Sequence, residues 1–511
     1  MAPSFAVGAV FKNEAHALVE WVEHYLGHGA DHLVLVDDGS TDDFRARLAP
    51  YVERGAVTLL SNDARDDAKG RQARVAERML RPLCARWEWF AVLDLDEFLY
   101  CPGALDTRER LAEVGANVDQ VLVDWVHFGS NGHVAQPPSI VAGFTRRAAL
   151  TTNTPDYYSY KAIVRTRALI AFDVHRHAVQ GDTACLSWSA LGDGARFLIN
   201  HYSIQSEAYW RDVKMTRGDV NRWHPTEARD MAWFRAYDRN EEDDLALCHA
   251  NAAAGITRRA NVAWAEALPD DGVTVVVTAC NRARLLERTL RSFLAHNTHA
   301  IAHFVIVDDS GAGTRMNDFC SALLAPTGAE VTLIYNARNL GQIEAIDVAY
   351  AHVRTKHIFH CEEDWEFYRP GFVERSLGIL GADPAVVTVW LREHRGGRVR
   401  DNGHPVDTSR LLDAPTGGYY RMARDFFCGD FWSGFTFNPG LRRLADYLRL
   451  TPFVDACRPY HHAVQPGEID VARVYRSMGM VGAIPREEEG YVVHIGWGDH
   501  VPRHWEGQSA P

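Results

Sequence analysis

The stretch WEWFAVLDLDEFLY runs an apolar segment straight into Asp94-Leu95-Asp96-Glu97. Residues two apart in an extended chain point the same way, so this spacing predicts two carboxylates, Asp94 and Asp96, on one side of an emerging strand. Such oxygens suit a hard cation, Mg2+ or Mn2+, which takes one or two protein carboxylates and completes its shell with phosphate oxygens and water. The chemistry indicated is capture of a metal-bound diphosphate. An ordinary acidic turn is the plainer account of so short a motif. A second acidic cluster, Glu362-Glu363-Asp364-Trp365, follows another apolar run, and two more apolar runs each end in an aspartate pair, Asp37-Asp38 and Asp308-Asp309.

The elements that must hold these groups are written twice. FAVGAVFKNE leads through AHALVEWVEHYLGHG to HLVLVDDGSTDD, and VTVVVTACNR leads through ARLLERTLRSFLAHN to HFVIVDDSGAGT. Each is an apolar strand ending in a polar turn, then a helix-like segment, then a strand ending in two aspartates. Asn13 and Asp37 lie 24 residues apart, and Asn281 and Asp308 lie 27 apart. Asp38 precedes Gln72 by 34 residues and Asp309 precedes Gln342 by 33; Gln72 precedes Asp94 by 22 and Gln342 precedes Glu362 by 20. The pattern predicts two copies of one α/β nucleotide-binding domain, with ligands beyond the carboxyl ends of the strands. A polar, Ala-rich stretch (DRNEEDD, HANAAAGITRRAN, ALPDDG) sets the boundary, giving domains 1–240 and 272–511 joined by a linker, 241–271.

Composition agrees with this scale. The 511 residues suffice for roughly two to four domains, and 47% hydrophobic with 24% charged residues excludes wholesale disorder. A net charge of -13 leaves no general basic field for nucleic acid. Nine scattered cysteines without a CxxC pair read as reduced, cytoplasmic thiols. MAPSFAVGAVFKNE meets Lys12 and Glu14 too early for a signal peptide or anchor and reads as a first strand. No run of 18 uncharged apolar residues occurs, so membrane contact is expected to be peripheral at most. The tail after Trp505 is expected to be loose.

LVLVDDGSTDD followed by VLDLDEFL resembles the inverting glycosyltransferases of the GT-A fold. KNEAHALVEWVEHYLGHGADHLVLVDDGSTDD, DLDEF, HFGSNGH and INHYSIQS are similar to the family 2 and family 92 type over about residues 5–220. TACNR, FVIVDDS, NLGQIEA, HCEEDWEF, FWSGFTFNPGLRR and GEIDVARVYRSMG resemble family 2 over about 273–500. The resemblance implies two consecutive GT-A, Rossmann-like domains. In each, the first-strand turn and the VDD pair hold the nucleoside: Asn13, Glu14, Asp37 and Asp38 in one, Asn281, Arg282, Asp308 and Asp309 in the other. Carboxylates there accept hydrogen bonds from ribose hydroxyls or a base N–H; Asx-turn chemistry beside GS or SG is the alternative. Gln72 and Asp94, with Gln342, Glu362, Glu363 and Asp364, join them as donor-binding positions. The resemblance also implies a divalent cation, Mn2+ or Mg2+, at least in the first domain, on Asp94 and Asp96. His201 of INHYSIQS resembles the late histidine that completes such a site, and His494 occupies a similar late position. In the second domain the acidic motif departs from DxD, and Asp364 is the candidate ligand.

Sugar transfer needs a base, a leaving-group stabiliser and a site that orients both substrates. Glu468 and Asp470 in PGEIDVARVYRSMG resemble the late acidic motif that supplies the family 2 base, Glu468 first and Asp470 as the alternative. GEID also reads as a helix N-terminus, where acidic residues meet exposed N–H groups. In the first domain Asp124, after another apolar strand, is the candidate base or acceptor contact, ahead of His127 and His133, and Lys214 is a candidate phosphate contact. Trp432, Phe435, Phe437, Trp365 and Tyr368 offer either a stacking platform or core. LRRLADYLRL (441–450) reads as a basic amphipathic helix, for an anionic membrane or an ordinary surface. HRH (175–177) and HH (461–462) lack zinc-like spacing and are read as structural.

The expected function is a bifunctional glycosyltransferase. It would move sugars from UDP- or GDP-sugars by single-displacement inversion onto a glycan or lipid-linked glycan, as in surface polysaccharide synthesis. Its expected place is cytoplasmic or peripheral at the inner face of the membrane. Two alternatives remain: one catalytic domain with a degenerate copy that binds acceptor, or a non-catalytic nucleotide-sugar or glycan-binding protein. A nucleotidyltransferase competes poorly, for want of a Gly-rich phosphate loop or GxxxxGK[ST] motif.

Overall fold

The computed structural model describes residues 2–64, 70–149, 160–186, 196–217, 229–311, 315, 318–424, 432–458 and 467–498. The chain divides into two compact units, Met1–Trp264 and Ala265–Pro511.

In the first unit, FAVGAVF forms β1 (Phe5–Phe11), buried along nearly its whole length, as a central parallel strand covered on both faces must be. Helix α1 (Ala15–Gly27) buries Ala17, Leu18, Trp21, Val22 and Tyr25 at helical spacing, and Val19, Glu20, Glu23 and His24 as well, so it is enclosed on nearly every side. There follow β2 (His32–Asp37), α2 (Phe44–Glu53), β3 (Val57–Ser61), a helical run 71–84 with a π turn at Ala76–Leu80, and β4 (Trp89–Val92). Strands β5 (Glu97–Tyr100), β6 (Val118–His127), β7 (Tyr160–Arg165), β8 (Asp182–Cys185) and β9 (Leu198–His201) complete one sheet, in the order β3-β2-β1-β4-β7-β6-β9-β5 with β8 also on β6. The first four are parallel, β7 is antiparallel to β4, and β9 is antiparallel to β5.

The stretch read from its composition as linker holds two helices, α3 (Ala246–Ala253) and α4 (Ile256–Glu266). Leu247 enters the first core, His28 meets Asn251 at 2.8 Å, and Arg259 donates to Glu23 at 2.9 Å. Alanine-rich sequence is a good helix former, and a few apolar and amide positions suffice to dock it.

The second unit repeats the plan. It contains β10 (Val273–Ala279), α5 (Ala283–His296), β11 (His303–Asp308), β12 (Glu330–Tyr335), α6 (Gln342–Tyr350), β13 (His357–Glu362) and β14 (Trp365–Phe367). Then come α7 (Phe372–Ala382), β15 (Val386–Val389), β16 (Val406–Leu412), β17 (Tyr419–Met422), β18 (Gly440–Arg443), α8 (Glu468–Ser477), β19 (Val481–Pro485) and β20 (Val492–His494). The main sheet has the order β12-β11-β10-β13-β18, parallel except for β18. A smaller sheet runs β15-β19-β17-β16, and β14 pairs antiparallel with β20. The Phe293 ring lies 5.2–6.1 Å from those of Phe304, Phe359, Phe367 and Phe372, which packs α5 and α7 against the sheet.

Both units therefore share the order 3-2-1-4, an antiparallel fifth neighbour, and a late strand that returns to the acidic motif. Among the described residues no helix is long and apolar enough to cross a membrane, and eight cysteines carry no disulfide. The basic segment 441–450 is no surface helix. Arg442 is buried against Tyr350 and the Thr436 carbonyl, and Arg443 donates to the Val386 and Asp383 carbonyls, so the arginines tie β18 to its neighbours. The pair 461–462 and the tail after Trp505 lie outside the described residues.

Candidate functional site

At the carboxyl end of β1, Asn13 takes a left-handed backbone (φ 52°), and Asn281 does the same after β10 (φ 56°). Asparagine tolerates that conformation better than most side chains. Each asparagine's N–H donates to a serine hydroxyl beyond the neighbouring strand, Ser40 at 2.9 Å and Ser310 at 2.8 Å. Asp37 accepts from the Ser40 N–H at 2.8 Å and Asp308 from the Ser310 N–H at 3.0 Å, so one oxygen of each makes the Asx-turn bond. The second aspartates are anchored by asparagines, Asn62 to Asp38 at 2.6 Å and Asn336 to Asp309 at 2.7 Å. Beyond that they diverge. Asp38 takes a forked bond from Arg71, whereas Asp309 accepts from the Leu340 and Gly341 N–H groups. Glu14 accepts from the Tyr209 hydroxyl at 3.2 Å, while its counterpart Arg282 turns to the acidic motif.

In the first acidic motif the strand has ended before Asp94, and the Glu97 N–H closes a turn on the Asp94 carbonyl at 3.0 Å. A turn breaks the two-residue alternation of an extended chain, so Asp94 and Asp96 take different partners instead of facing one way. Asp94 is held by Gln72 at 2.5 Å and by Lys161 at 2.9 Å. Asp96 is held by Lys214 at 2.6 Å, with the His201 Nε2 at 3.6 Å. The donor atoms that gather within 4.8 Å belong to Asp96, Glu97 and His201, all buried. Glu97 thus stands where sequence placed Asp94, and Asp124, half-buried in β6 opposite Tyr160, lies outside this group. Two carboxylates and an imidazole suit Mn2+ or Mg2+, and the Glu97 Oε1 is buried without a hydrogen-bond partner, as a ligand oxygen would be. Burial would push the Asp96 carboxyl up, but the Lys214 ammonium and His201 hold it well below the usual range. Burial, helped by the charges of Asp94 and Asp96 and opposed by Lys161, leaves Glu97 well above it.

The second motif has the same frame. Gln342 donates to Glu362 at 2.8 Å, as Gln72 does to Asp94. His494 is in register with Trp365, as His201 is with Glu97, and its Nε2 lies 3.2 Å from Asp364. Gly496 passes so close that a Cβ there would meet the Asp364 carboxylate at 2.6 Å. Arg282 bridges Glu363 and Asp364 at 2.8 Å each, and Glu363 also accepts from the Cys280 N–H, so Glu363 locks the motif to the first-strand turn. Burial, then the charges of Asp364, Glu363 and Glu468, pushes Glu362 up to about 8. Burial acts likewise on Asp364, yet His494 and Arg282 bring its carboxyl below the usual value.

Glu468 opens α8 with its carboxylate accepting from the Phe437 N–H at 2.8 Å and the Thr436 hydroxyl at 3.3 Å. Burial raises its pKa against those bonds and the charge of Arg442. Asp470 instead accepts from the Gly467 N–H at 3.0 Å and meets Arg473 at 3.3 Å, the helix-start role. The aromatic platform is core: Trp365, Trp432, Phe435 and Phe437 are buried, and Tyr368 is exposed. His127 and Trp125 pack on the His201 ring, and burial with the nearby His201 takes the His127 pKa down to about 3. His133 meets the Gly143 carbonyl. His177 is a buried core group, whereas His175 packs on Trp125 and Tyr160 beside Lys161. Sequence reasoning missed Lys161 and Glu97. A lysine inside the apolar strand YKAIVR was a signal, because a buried charge requires a partner.

Residues 4–184 match the family model Glycosyltransferase family 92, and residues 274–439 match Glycosyl transferase family 2. A glycosyltransferase family 92 protein of Ricinus communis is 25% identical over 218 residues, covering 40% of this chain and 37% of its own length. One of Oryza sativa subsp. japonica is 27% identical over 219 residues, 41% of this chain and 35% of its own. The chain thus spans little more than a third of the length of these curated relatives. Among solved structures, GalNAc-T7 with UDP, GalNAc and Mn2+ overlaps 48% of this chain and 46% of its own, at 16% identity and TM-score 0.34. The mannosyltransferase PcManGT from Pyrobaculum calidifontis, in complex with GDP-Man and Mn2+, overlaps 29% and 46% at 19% identity and TM-score 0.20.

Proposed function

With a family 92 glycosyltransferase segment at 4–184 and a family 2 segment at 274–439, we propose that this chain is a bifunctional enzyme, each GT-A domain transferring a sugar from a nucleotide-diphospho-sugar to a glycan acceptor. The domains are read as 1–240 and 272–511, and the donors as UDP- or GDP-sugars. A growing surface polysaccharide or lipid-linked glycan is the proposed acceptor, reached from the cytoplasm or the inner face of the membrane. The observation that carries this reading is the recurrence, in both units, of one constellation: a left-handed asparagine, an aspartate pair, a glutamine bonded to the first residue of an acidic motif, and a late histidine beside the aspartate at its third position.

In the first domain Asp96, Glu97 and His201 would hold Mn2+ or Mg2+; the bound ion supplies positive charge to the departing diphosphate. Asp37, Asp38 and Asn13 orient the nucleoside, and the carboxyl ends of β1 and β4 aim the sugar at the acceptor. In the second domain Glu468 accepts the proton of the attacking acceptor hydroxyl, and the nucleoside diphosphate leaves from the opposite face of the anomeric carbon, inverting it. A carboxylate whose pKa burial has raised is a stronger base near neutral pH. The test is nucleotide release from a panel of UDP-, GDP- and CMP-sugars, with Mn2+, Mg2+ or EDTA. Release from two donors, one abolished by Asp96→Asn and the other by Glu468→Gln, is expected. Release from one donor only would reduce the second copy to acceptor binding. Donor binding without release, with or without glycan acceptors, would leave a nucleotide-sugar-binding protein.

A further inference from the structure

Lys214 closes a π-helical turn, Trp210–Lys214, a form frequent at functional sites. Its ammonium is buried, 5.8 Å from the centre of the Tyr209 ring, and its bond to Asp96 is 2.6 Å long. That bond uses Asp96 Oδ2; the other oxygen faces His201. The second unit reaches the same arrangement from another part of the chain. There Arg282, in the first-strand turn, places a guanidinium 2.8 Å from Asp364, the aspartate paired with the late histidine. Two sites built on one scaffold thus recruit a cation for the same carboxylate from unrelated positions. With Lys161 on Asp94 and Lys214 on Asp96, two of the three carboxylates of the first site already have a hydrogen-bonded cation partner before any divalent cation arrives.

We propose that Lys214 is a resident counter-ion, displaced from Asp96 when a divalent cation enters and thereupon engaging the diphosphate of the donor. The inference rests on the donor-transfer reading above. Displacement makes binding of the ion alone weak, because it strands a buried ammonium. A diphosphate gives that ammonium a new partner, so ion and nucleotide bind together more tightly than either does singly.

The test uses the full chain, free Mn2+ measured by electron paramagnetic resonance, and UDP or GDP as the diphosphate. The Mn2+ site lost in Asp96→Asn is the first one. Lys214→Met, similar in length and uncharged, is expected to bind Mn2+ alone about ten- to a hundredfold more tightly, the span of one hydrogen bond to a charged group. In that variant UDP or GDP should add little to Mn2+ affinity, whereas Lys214→Arg should keep the wild-type cooperativity. Unchanged or weaker Mn2+ affinity in Lys214→Met, with full nucleotide enhancement, would overturn the proposal. Melting temperature supplies a second readout: Mn2+ should raise that of Lys214→Met by more than that of wild type. A loss of stability that Mn2+ does not restore would assign Lys214 to packing and overturn the proposal too. If Asp96→Asn removes no Mn2+ site from the wild type, the metal reading itself fails, and the counter-ion with it.

Discussion

The two acidic sites occupy equivalent places on equivalent sheets, yet they differ in charge. The first sets Asp94, Asp96 and Glu97 against two buried lysines, Lys161 and Lys214. The second sets Glu362, Glu363 and Asp364, with Glu468 nearby, against one arginine bonded to the motif, Arg282. Each site nevertheless raises one buried carboxyl, Glu97 well above its usual range in the first and Glu362 to about 8 in the second. The letters DxD or EED therefore describe the sites poorly. What separates them is which cations the rest of each domain sends back to the motif.

Glu468→Gln should break the comparison most sharply. Transfer by the second domain is expected to fall by about 10²–10⁴, the usual contribution of a general base; transfer by the first should be unchanged, as read from separate donors. Asp96→Asn strands Lys214, and breaking such a buried pair costs about 3–5 kcal/mol. Asp364→Asn should cost less, because Arg282 keeps Glu363. Denaturant midpoints of the two variants measure the difference.

The pH dependence sharpens the contrast further. Glu362 has its carboxyl raised from 4.5 to about 8 in the folded state, so it binds its proton more tightly folded than unfolded. Its contribution to stability is full below pH 4.5 and is lost as pH rises to about 8. Glu362→Gln should flatten that decline, and urea midpoints across the interval check it. The smallest effect is expected at Asp470→Ala. Losing its bond to the Gly467 N–H should cost about 0.5–2 kcal/mol, with turnover by the second domain retained. A large loss of turnover would return Asp470 to the chemistry in place of Glu468.

The double αβ plan was legible because each copy is local: strand, turn and helix are set by periodicities of a dozen residues, and the landmark spacings survive in both copies. Gln72 and Gln342 were visible only as landmarks, and the structure gives them a shared bond to the first acid of each motif. Less legible were groups whose meaning depends on distant partners. Lys161 reads as one charge in a strand until β7 is laid beside β4, and Arg442 reads as surface until β18 pairs with β13. The aromatics of FWSGFTF read equally as platform or core, since burial is a property of the assembled domain. The helices within 241–271 were hidden by a composition that suits loop and helix alike.

The strand that brings each late histidine to its motif has a consequence for how the protein is made. His201 pairs with Glu97, and His494 with Trp365, each across more than a hundred residues of intervening chain. Closing so long a loop follows the local contacts that build the parallel sheets. During synthesis each domain can therefore acquire the sheet edge that carries its aspartate pair well before its acidic site is finished. A ribosome that stalls, or a protease that nicks the chain ahead of either closing strand, would leave a folded sheet whose acidic motif lacks its imidazole.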